Sequence, residues 1–176
     1  AAGPAHPGVV NLLRLQAFGE DLRPCACYAY RMDLGKADRF GRLYAYGVPA
    51  LTALPNGRLL VLEREVSISQ RYLSSEVECK LFLVNPAEGW QIDSQTDLQQ
   101  LDRNKFLMKT LVARFVTKLN LVRRNLANYE GMCLGRTLAD GRQTLLLVND
   151  SQGRMGKGGI RLKDYLKVLI LPNGRE

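Results

Sequence analysis

Turn dipeptides recur along this chain and divide it into short apolar segments. The clearest are Asn56-Gly57, Asp140-Gly141 and Asn173-Gly174, in which Asn, Asp and Gly tolerate the positive φ values of tight hairpin turns. The segments between the turns are mostly of strand length and rich in Val, Leu, Ile, Tyr and Phe, as strands usually are. They cover residues 25–33, 43–48, 58–64, 80–85, 107–119, 143–149 and 165–171. This pattern predicts an all-β protein with antiparallel strands.

The turns belong to a weak internal repeat. Residues 53–63 and 138–150 each place a hairpin turn before an Arg, an apolar strand and a terminal acidic side chain, and residues 171–175 begin a third copy. Hairpins that recur at one or two blade lengths, each of about 40 to 45 residues, are typical of a propeller. We therefore predict a β-propeller-like fold with antiparallel blades, either partial or completed by another copy. A β-sandwich is the alternative architecture.

The length and hydrophobicity of the chain fit one domain. Its 176 residues are 46% hydrophobic, which suffices for one well-buried core but not for two domains. We predict a flexible N-terminal segment over residues 1–8 and a β domain over 9–176. Residues 94–104 are the best helical candidate, a surface excursion in which Ser94 is a suitable N-cap residue. No apolar run approaches the roughly 20 residues of a membrane-spanning helix, so no transmembrane segment is predicted.

The net charge of the chain favours an anionic partner. It is +8, which attracts phosphorylated small molecules, acidic glycans or nucleic acid. Nucleic acid fits least well, because the basic residues are scattered, aromatic residues are only 7% of the chain, and no recognition-helix or RNA-binding signature is present. The densest basic spots, Arg123-Arg124 and the Gly-rich segment 153–159, are interpreted as solvated loops.

The cysteines and the histidine argue against several kinds of site. Cys25, Cys27, Cys79 and Cys133 lack the paired C-x-x-C spacing of a structural zinc site. Cys25 and Cys27 lie two apart on a predicted strand, so we expect two buried thiols on one face that are not bonded to each other, while a disulfide to Cys79 or Cys133 stays open. His6 is the only histidine and no G-x-S-x-G motif is present, which argues against His-dependent and serine-nucleophile hydrolases.

Three motifs, taken in order, carry a family resemblance. They are LPNGRLLVLERE at residues 54–65, NYEGM at 128–132 and TLLLVND at 144–150. Their order and spacing, over roughly residues 43–171, resemble the C-terminal part of the phytase-like domain family called "esterase-like activity of phytase", in which an LPDGRLLVLER strand precedes an NFEG turn and an LLLVSDDN strand. The domain of that family is usually longer than this chain, which implies a homo-oligomer or N-terminal blades outside it.

The resemblance also implies a cluster of polar site residues. It assigns catalysis to Glu63, Glu65, Glu130 and Asp150, substrate binding to Arg64 and Asn128, and Ca²⁺ binding to Glu130 and Asp150. Carboxylates of this kind can hold Ca²⁺ or act as general acid and base beside a phosphate bound by Arg. Strand alternation places Glu63 and Glu65 on one face and Arg64 on the other, so we expect the glutamates rather than the arginine to line the site. The alternative is that Arg64 bridges Glu130 or Asp150 and only joins two sheets.

Two functional hypotheses follow. The first is an exported phytase-like domain, periplasmic or extracellular, that acts as a phosphoric ester hydrolase on a phosphorylated or otherwise anionic small molecule, or binds it. Residues 1–7 show no signal peptide, which a mature exported chain would have lost. The alternative is a noncatalytic β-propeller module that binds a ligand or another protein. Chelation should stop a metal-dependent hydrolase but leave an interaction module unaffected.

Overall fold

The computed structural model describes residues 8–36, 41, 43–71, 74–119, 122, 126–149 and 164–172. Within these ranges the secondary structure is nine β-strands and two short 3-10 helices, at Pro86–Glu88 and Arg103–Lys105. The strands are β1 (Leu12–Phe18), β2 (Pro24–Arg31), β3 (Leu43–Ala53), β4 (Leu59–Ile68), β5 (Glu76–Val84), β6 (Lys109–Lys118), β7 (Tyr129–Thr137), β8 (Gln143–Asn149) and β9 (Tyr165–Ile170). The predicted all-β class is confirmed.

The strands form three antiparallel sheets in which each strand pairs with its neighbour in sequence. The first sheet is β1-β2, the middle sheet is β3-β4-β5-β6 and the third sheet is β7-β8-β9. The middle sheet packs its two faces against the other two sheets, with Val61 beside Tyr30 of the first sheet and Leu62 beside Leu147 of the third. The described residues form no closed barrel. Both predicted architectures, successive propeller blades and sandwich layers, place sheets face to face in this way.

Strand β4 is buried on both faces because it lies inside this stack. Its apolar side chains alternate, so that Val61 contacts the core shared with the first sheet while Leu60 and Leu62 contact the cores shared with the third. Glu63 and Glu65 therefore point towards the first sheet, and Arg64 points towards the third. The predicted separation of the two glutamates from the arginine is confirmed.

Both predicted hairpin turns are present, but their geometry differs from the expected one. In the β3–β4 turn the N–H of Gly57 donates to the carbonyl of Leu54 at 3.0 Å, and the N–H of Leu54 donates to the carbonyl of Arg58 at 2.8 Å. Only the glycine has positive φ, +79° at Gly57 and +82° at Gly141, whereas we expected it at both turn residues. The side chain of Asn56 instead accepts a hydrogen bond from the N–H of Arg58. In the second turn, the side chain of Asp140 likewise accepts one from the N–H of Arg142. These are three-residue loops with a glycine bulge.

Some predictions of local structure are wrong. Residues 94–104 form turns rather than an α-helix, and only their end enters the 3-10 helix at Arg103–Lys105. Asp93 and Asp97 each accept a hydrogen bond from an N–H two residues on and so compete with helical bonding. The expected turn at residues 128–131 is the start of strand β7. Cys25 is exposed rather than buried, although all four thiols are free and Cys25 is not bonded to Cys27. Residues 1–7, the repeat at 173–175 and the Gly-rich segment lie outside the described residues.

We predict that the bulge glycines stabilise the hairpins through their backbone conformation alone. A Cβ built on Gly57 or Gly141 meets no atom within 4 Å, so a side chain there causes no clash. Gly57→Ala should therefore lower the free energy of unfolding by about 1 to 2 kcal/mol, the cost of a left-handed residue, and Gly57→Asn should lower it less. Urea unfolding of the two variants tests this, and equal losses would contradict it.

Candidate functional site

Glu63 lies at the centre of a buried polar network between the first and middle sheets. Glu63 is fully buried, with 0% of its surface exposed. The carboxylate accepts hydrogen bonds from the hydroxyls of Tyr30 at 2.7 Å and Tyr46 at 2.6 Å, from Lys109 Nζ at 2.6 Å and from the N–H of Asp33 at 3.1 Å. Strand β3 carries a bulge opposite this residue, where Val48 and Pro49 face the single residue of β4. Four donors thus replace the water that the carboxylate loses on folding.

The network extends sideways through Asp33, which follows strand β2. Its carboxylate binds Lys80 Nζ and Lys109 Nζ, each at 2.8 Å, and so links strands β5 and β6. Burial opposes ionisation of Asp33, but the hydrogen bonds from Lys109 and Lys80 outweigh it and lower the pKa of this carboxyl. Burial and the neighbouring Glu63 charge raise the pKa of the Tyr30 hydroxyl, which therefore stays a proton donor. The centre of the network is thus an anion held by neutral and cationic donors.

A second buried carboxylate, Glu65, continues the network along β4. It accepts hydrogen bonds from the Tyr44 hydroxyl at 2.8 Å and from the N–H of Lys36 at 2.7 Å. Gly35 makes this approach possible, since a Cβ there would lie 2.0 Å from the Tyr44 hydroxyl oxygen. The Lys36 ammonium lies 3.1 Å from Glu78, which also binds Arg114 Nε at 2.5 Å. Two of the three glutamates predicted to be catalytic, Glu63 and Glu65, are thus buried, with oxygens engaged by the protein.

The opposite face of β4 carries a smaller polar group formed by Arg64, Asn128 and Glu130. Arg64 Nη1 donates to Glu130 Oε1 at 3.0 Å and to the carbonyl of Tyr129 at 3.2 Å. Asn128 Nδ2 donates to the same Glu130 oxygen at 2.7 Å, and the Asn128 N–H donates to Asn149 Oδ1. Glu130 is the extra residue of a bulge between Tyr129 and Gly131, where the pairing of β7 with β8 shifts. The bulge turns the carboxylate towards Arg64, a common role of bulges beside functional sites.

This Arg64–Asn128–Glu130 group keeps hydrogen-bonding capacity that the described residues do not use. Arg64 Nε and Asn128 Oδ1 are buried and lack a hydrogen-bond partner. The side chain of Glu130 is 34% exposed and that of Arg64 is 18% exposed, so the group borders solvent. Both contacts to the Glu130 carboxylate use Oε1, and among the described residues no donor reaches Oε2. A free donor, a free acceptor and a carboxylate oxygen therefore lie close together.

Of the six predicted site residues, the structure brings three together. Arg64, Asn128 and Glu130 form one group, Glu63 and Glu65 lie across the sheet from it, and Asp150 lies outside the described residues. The bulge directs Glu130 to the arginine face and away from Glu63 and Glu65. That the glutamates rather than the arginine line the site stays a prediction. Sequence reasoning also missed the partners of Glu63. One signal was available, since tyrosines alternate at 28 and 30 and at 44 and 46, as residues on one face of a strand do.

The Arg64–Asn128–Glu130 group does not fit the ligand set expected for Ca²⁺. Calcium takes six to eight oxygen ligands, but here Glu130 Oε1 and the Tyr129 carbonyl already face the guanidinium of Arg64. No cluster of three acidic, Cys or His side chains suited to a metal occurs in the described ranges. Calcium binding by Glu130 and Asp150 therefore stays a prediction, and it would require Arg64 to move away.

We predict that Glu63→Gln destabilises the protein strongly. The change removes the charge that compensates Lys109, although Asp33 still binds this ammonium at 2.8 Å. The free energy of unfolding should fall by about 3 kcal/mol, the lower end of the range for a broken buried ion pair. Glu88→Gln, at an exposed glutamate, is the matched control and should change stability by less than about 0.5 kcal/mol. Equal effects in urea unfolding would contradict a structural role for Glu63.

We also predict acid sensitivity from Asp33 and Glu78, whose carboxyls have lowered pKa values in the folded protein. Burial opposes ionisation of both, and hydrogen bonds from Lys109 to Asp33 and from Arg114 to Glu78 outweigh it. The stability that they contribute is therefore present above their unfolded pKa values of about 4 and is lost as the pH falls through the lowered folded values. Asp33→Asn should flatten the decline of unfolding free energy below about pH 4, and an unchanged slope would refute the assignment.

Comparison with known proteins places the chain in a family. The model of the phytase-like family described as "Esterase-like activity of phytase" matches residues 3–152. The match starts closer to the N-terminus than residue 43, where we expected it, and ends before 171. No curated protein and no solved structure matches the chain. No helix among the described residues is long and apolar enough to cross a membrane. The match covers most of the sequence and includes all six predicted site residues, so the chain belongs to the phytase-like family.

Proposed function

We propose that this chain is an exported phytase-like domain that binds a phosphorylated or otherwise anionic small molecule at the Arg64–Asn128–Glu130 group and hydrolyses its ester bond. The observation that carries the proposal is the unused hydrogen-bonding capacity of Arg64, whose Nε atom is buried without a partner, next to the partly exposed carboxylate of Glu130. An arginine fork matches the oxygens of a phosphate, and a charge-assisted hydrogen bond is about twice as strong as a neutral one. The net charge of +8 supports attraction of an anion.

The proposed chemistry uses each member of the group differently. Arg64 holds two phosphoryl oxygens, and Asn128 fixes the orientation of the Glu130 carboxylate, to which it donates at 2.7 Å. Glu130 accepts a proton through Oε2 from the water that attacks phosphorus. The ester P–O bond then breaks, and Asp150 is the proposed acid that protonates the leaving alkoxide. The products are inorganic phosphate and an alcohol.

The buried network supports a second candidate, a noncatalytic β-propeller module that binds a ligand or another protein. Glu63 and Glu65 have the protein donors of a structural centre, and Arg64 joins β4 to β7 by contacting both Tyr129 and Glu130. On this proposal the arginine–carboxylate contact holds the middle and third sheets together and takes no part in chemistry.

Paired substitutions distinguish the candidates. For a hydrolase, Arg64→Gln should weaken binding of inositol hexakisphosphate about tenfold or more, because one charge-assisted contact is worth about 1.5 to 3 kcal/mol. Glu130→Gln should reduce phosphate release about 100-fold while binding persists, because it removes a base and no positive charge. Binding is measured by calorimetry and turnover by phosphate release, with and without a calcium chelator.

Arg142→Gln and Asp140→Asn are the matched controls, since this pair is exposed and joined at 2.6 Å. Both should leave binding and turnover unchanged. The hydrolase proposal fails if wild-type protein neither binds nor cleaves the probe, or if Glu130→Gln leaves turnover unchanged. Wild-type protein that releases no phosphate, together with a stability loss of about 3 kcal/mol in Glu130→Gln, would favour the noncatalytic module.

A further inference from the structure

A pocket opens between the middle and third sheets, beside the β3–β4 turn. Its volume of about 620 Å³ lies within the range of roughly 300 to 1,000 Å³ that is usual for small-molecule sites. Strand β4 contributes Leu60 to the pocket, and Arg64 lies four residues further on, which is about 13 Å along a strand. The pocket is therefore separate from the Arg64–Asn128–Glu130 group.

The walls of the pocket are mainly apolar. They include members of the core that the two sheets share, namely Leu54, Leu60, Leu83, Val112 and Leu171. Leu60 and Leu171 are buried, whereas the other three are only partly covered by the protein. An apolar ligand would remove this remaining surface from water, which favours binding. The walls thus suit the hydrocarbon part of a ligand.

Arg58 adds a positive charge to the pocket. It is half-buried, and among the described residues that line the pocket it is the single charged one. In the described part of the chain no carboxylate or carbonyl contacts its guanidinium. The donors of this group are therefore available to a ligand, and a carboxylate matches them because its two oxygens fit the guanidinium fork.

The second hairpin has an arginine at the equivalent position, and there the charge is paired. The N–H of Leu138 donates to the carbonyl of Arg142 at 2.8 Å, as the N–H of Leu54 does to that of Arg58. Asp140 Oδ2 then accepts hydrogen bonds from Arg142 Nε at 2.8 Å and Nη2 at 2.6 Å. In this turn the guanidinium is neutralised by the loop itself.

The first hairpin lacks that pairing because Asn56 stands where the second has Asp140. Asn56 Oδ1 accepts from the N–H of Arg58 at 3.2 Å, just as Asp140 Oδ1 accepts from the N–H of Arg142 at 3.1 Å. The rest of the Asn56 amide is Nδ2, a donor, which cannot accept a hydrogen bond from a guanidinium. One amide in place of one carboxylate thus leaves the charge of Arg58 to the pocket.

We propose that this pocket binds an apolar monocarboxylate of the medium-chain fatty acid type, with its carboxylate on Arg58 and its hydrocarbon chain against the apolar walls. A single cation in the described lining matches a single carboxylate. The net charge of +8 attracts such an anion from solution. The site is distinct from the proposed phosphate site, whose arginine lies in a polar group with Asn128 and Glu130.

Calorimetry with decanoate, at neutral pH and below its micelle concentration, tests the proposal. Asn56→Asp should weaken binding about tenfold or more, because the new carboxylate holds Arg58 as Asp140 holds Arg142. Arg58→Gln should weaken it by a similar factor, since it removes the charged fork. Arg142→Gln, at the paired arginine of the second hairpin, and Arg64→Gln are the controls and should leave decanoate binding unchanged.

Two further measurements test the role of the charge and the location of the site. Decanol, which has the same chain without the charge, should bind more weakly than decanoate and equally well to wild type and Arg58→Gln. Thr110→Trp places a large side chain on the pocket wall and should abolish binding of both probes. Urea unfolding identifies any variant that has lost its fold.

Four results overturn the proposal. The first is wild-type protein that does not bind decanoate, and the second is wild-type protein that binds decanol as tightly as decanoate. The third is an equal loss of affinity in Arg58→Gln and Arg142→Gln, which would indicate a general effect of charge. The fourth is unchanged decanoate binding in folded Asn56→Asp or folded Thr110→Trp, which would place the ligand elsewhere.

Discussion

The fold depends on removing one carboxylate, Glu63, from water without leaving it unpaired. An isolated charge in a protein interior costs so much free energy that the surrounding chain must supply its partners. Here they come from four places, strand β2, strand β3, the loop after β2 and strand β6. The first sheet can therefore lie on the middle sheet only in the position that brings Tyr30 and Asp33 to the carboxylate. Apolar packing supplies attraction between the sheets, and this anion selects their relative placement.

Strand β4 separates two kinds of polar site by strand alternation. Glu63 and Glu65 point into a layer closed by tyrosines, lysines and a glycine-lined loop, where their oxygens are engaged. Arg64, one residue away from each, points to the layer in which Glu130 remains partly exposed. Consecutive residues of one motif thus serve different purposes. A catalytic role for the whole Glu63-Arg64-Glu65 triplet would require a substrate to reach both sides of a buried sheet.

The sequence predicted what depends on local pattern and missed what depends on irregularity. Residue spacing predicts the strands and the opposite directions of Glu63 and Arg64, because successive side chains of a strand point to opposite faces. It also predicts the two glycine hairpins, because their turns require residues that tolerate positive φ. The bulge at Glu130 breaks that period, and nothing in NYEG separates a bulge from a turn. Strand β1 was missed because the prediction relied on continuous apolar runs, whereas here Leu13 and Leu15 alternate with Arg14 and Gln16. The lysines around Glu63 lie 17 and 46 residues away in sequence, at Lys80 and Lys109, so pattern within one strand could not identify them.

The long connection between β5 and β6 does more than join two strands of one sheet. It leaves the middle sheet and follows the free edge of β2, where the N–H groups of Ile92 and Leu107 donate to the carbonyls of Cys27 and Ala29, each at 2.8 Å. It also reaches β1, because Arg14 donates to the Thr96 carbonyl at 2.5 Å. The first sheet is consequently held by this connection, which is hydrogen-bonded to both of its strands. The N-terminal hairpin cannot detach by itself, and the two sheets must open as a single cooperative unit.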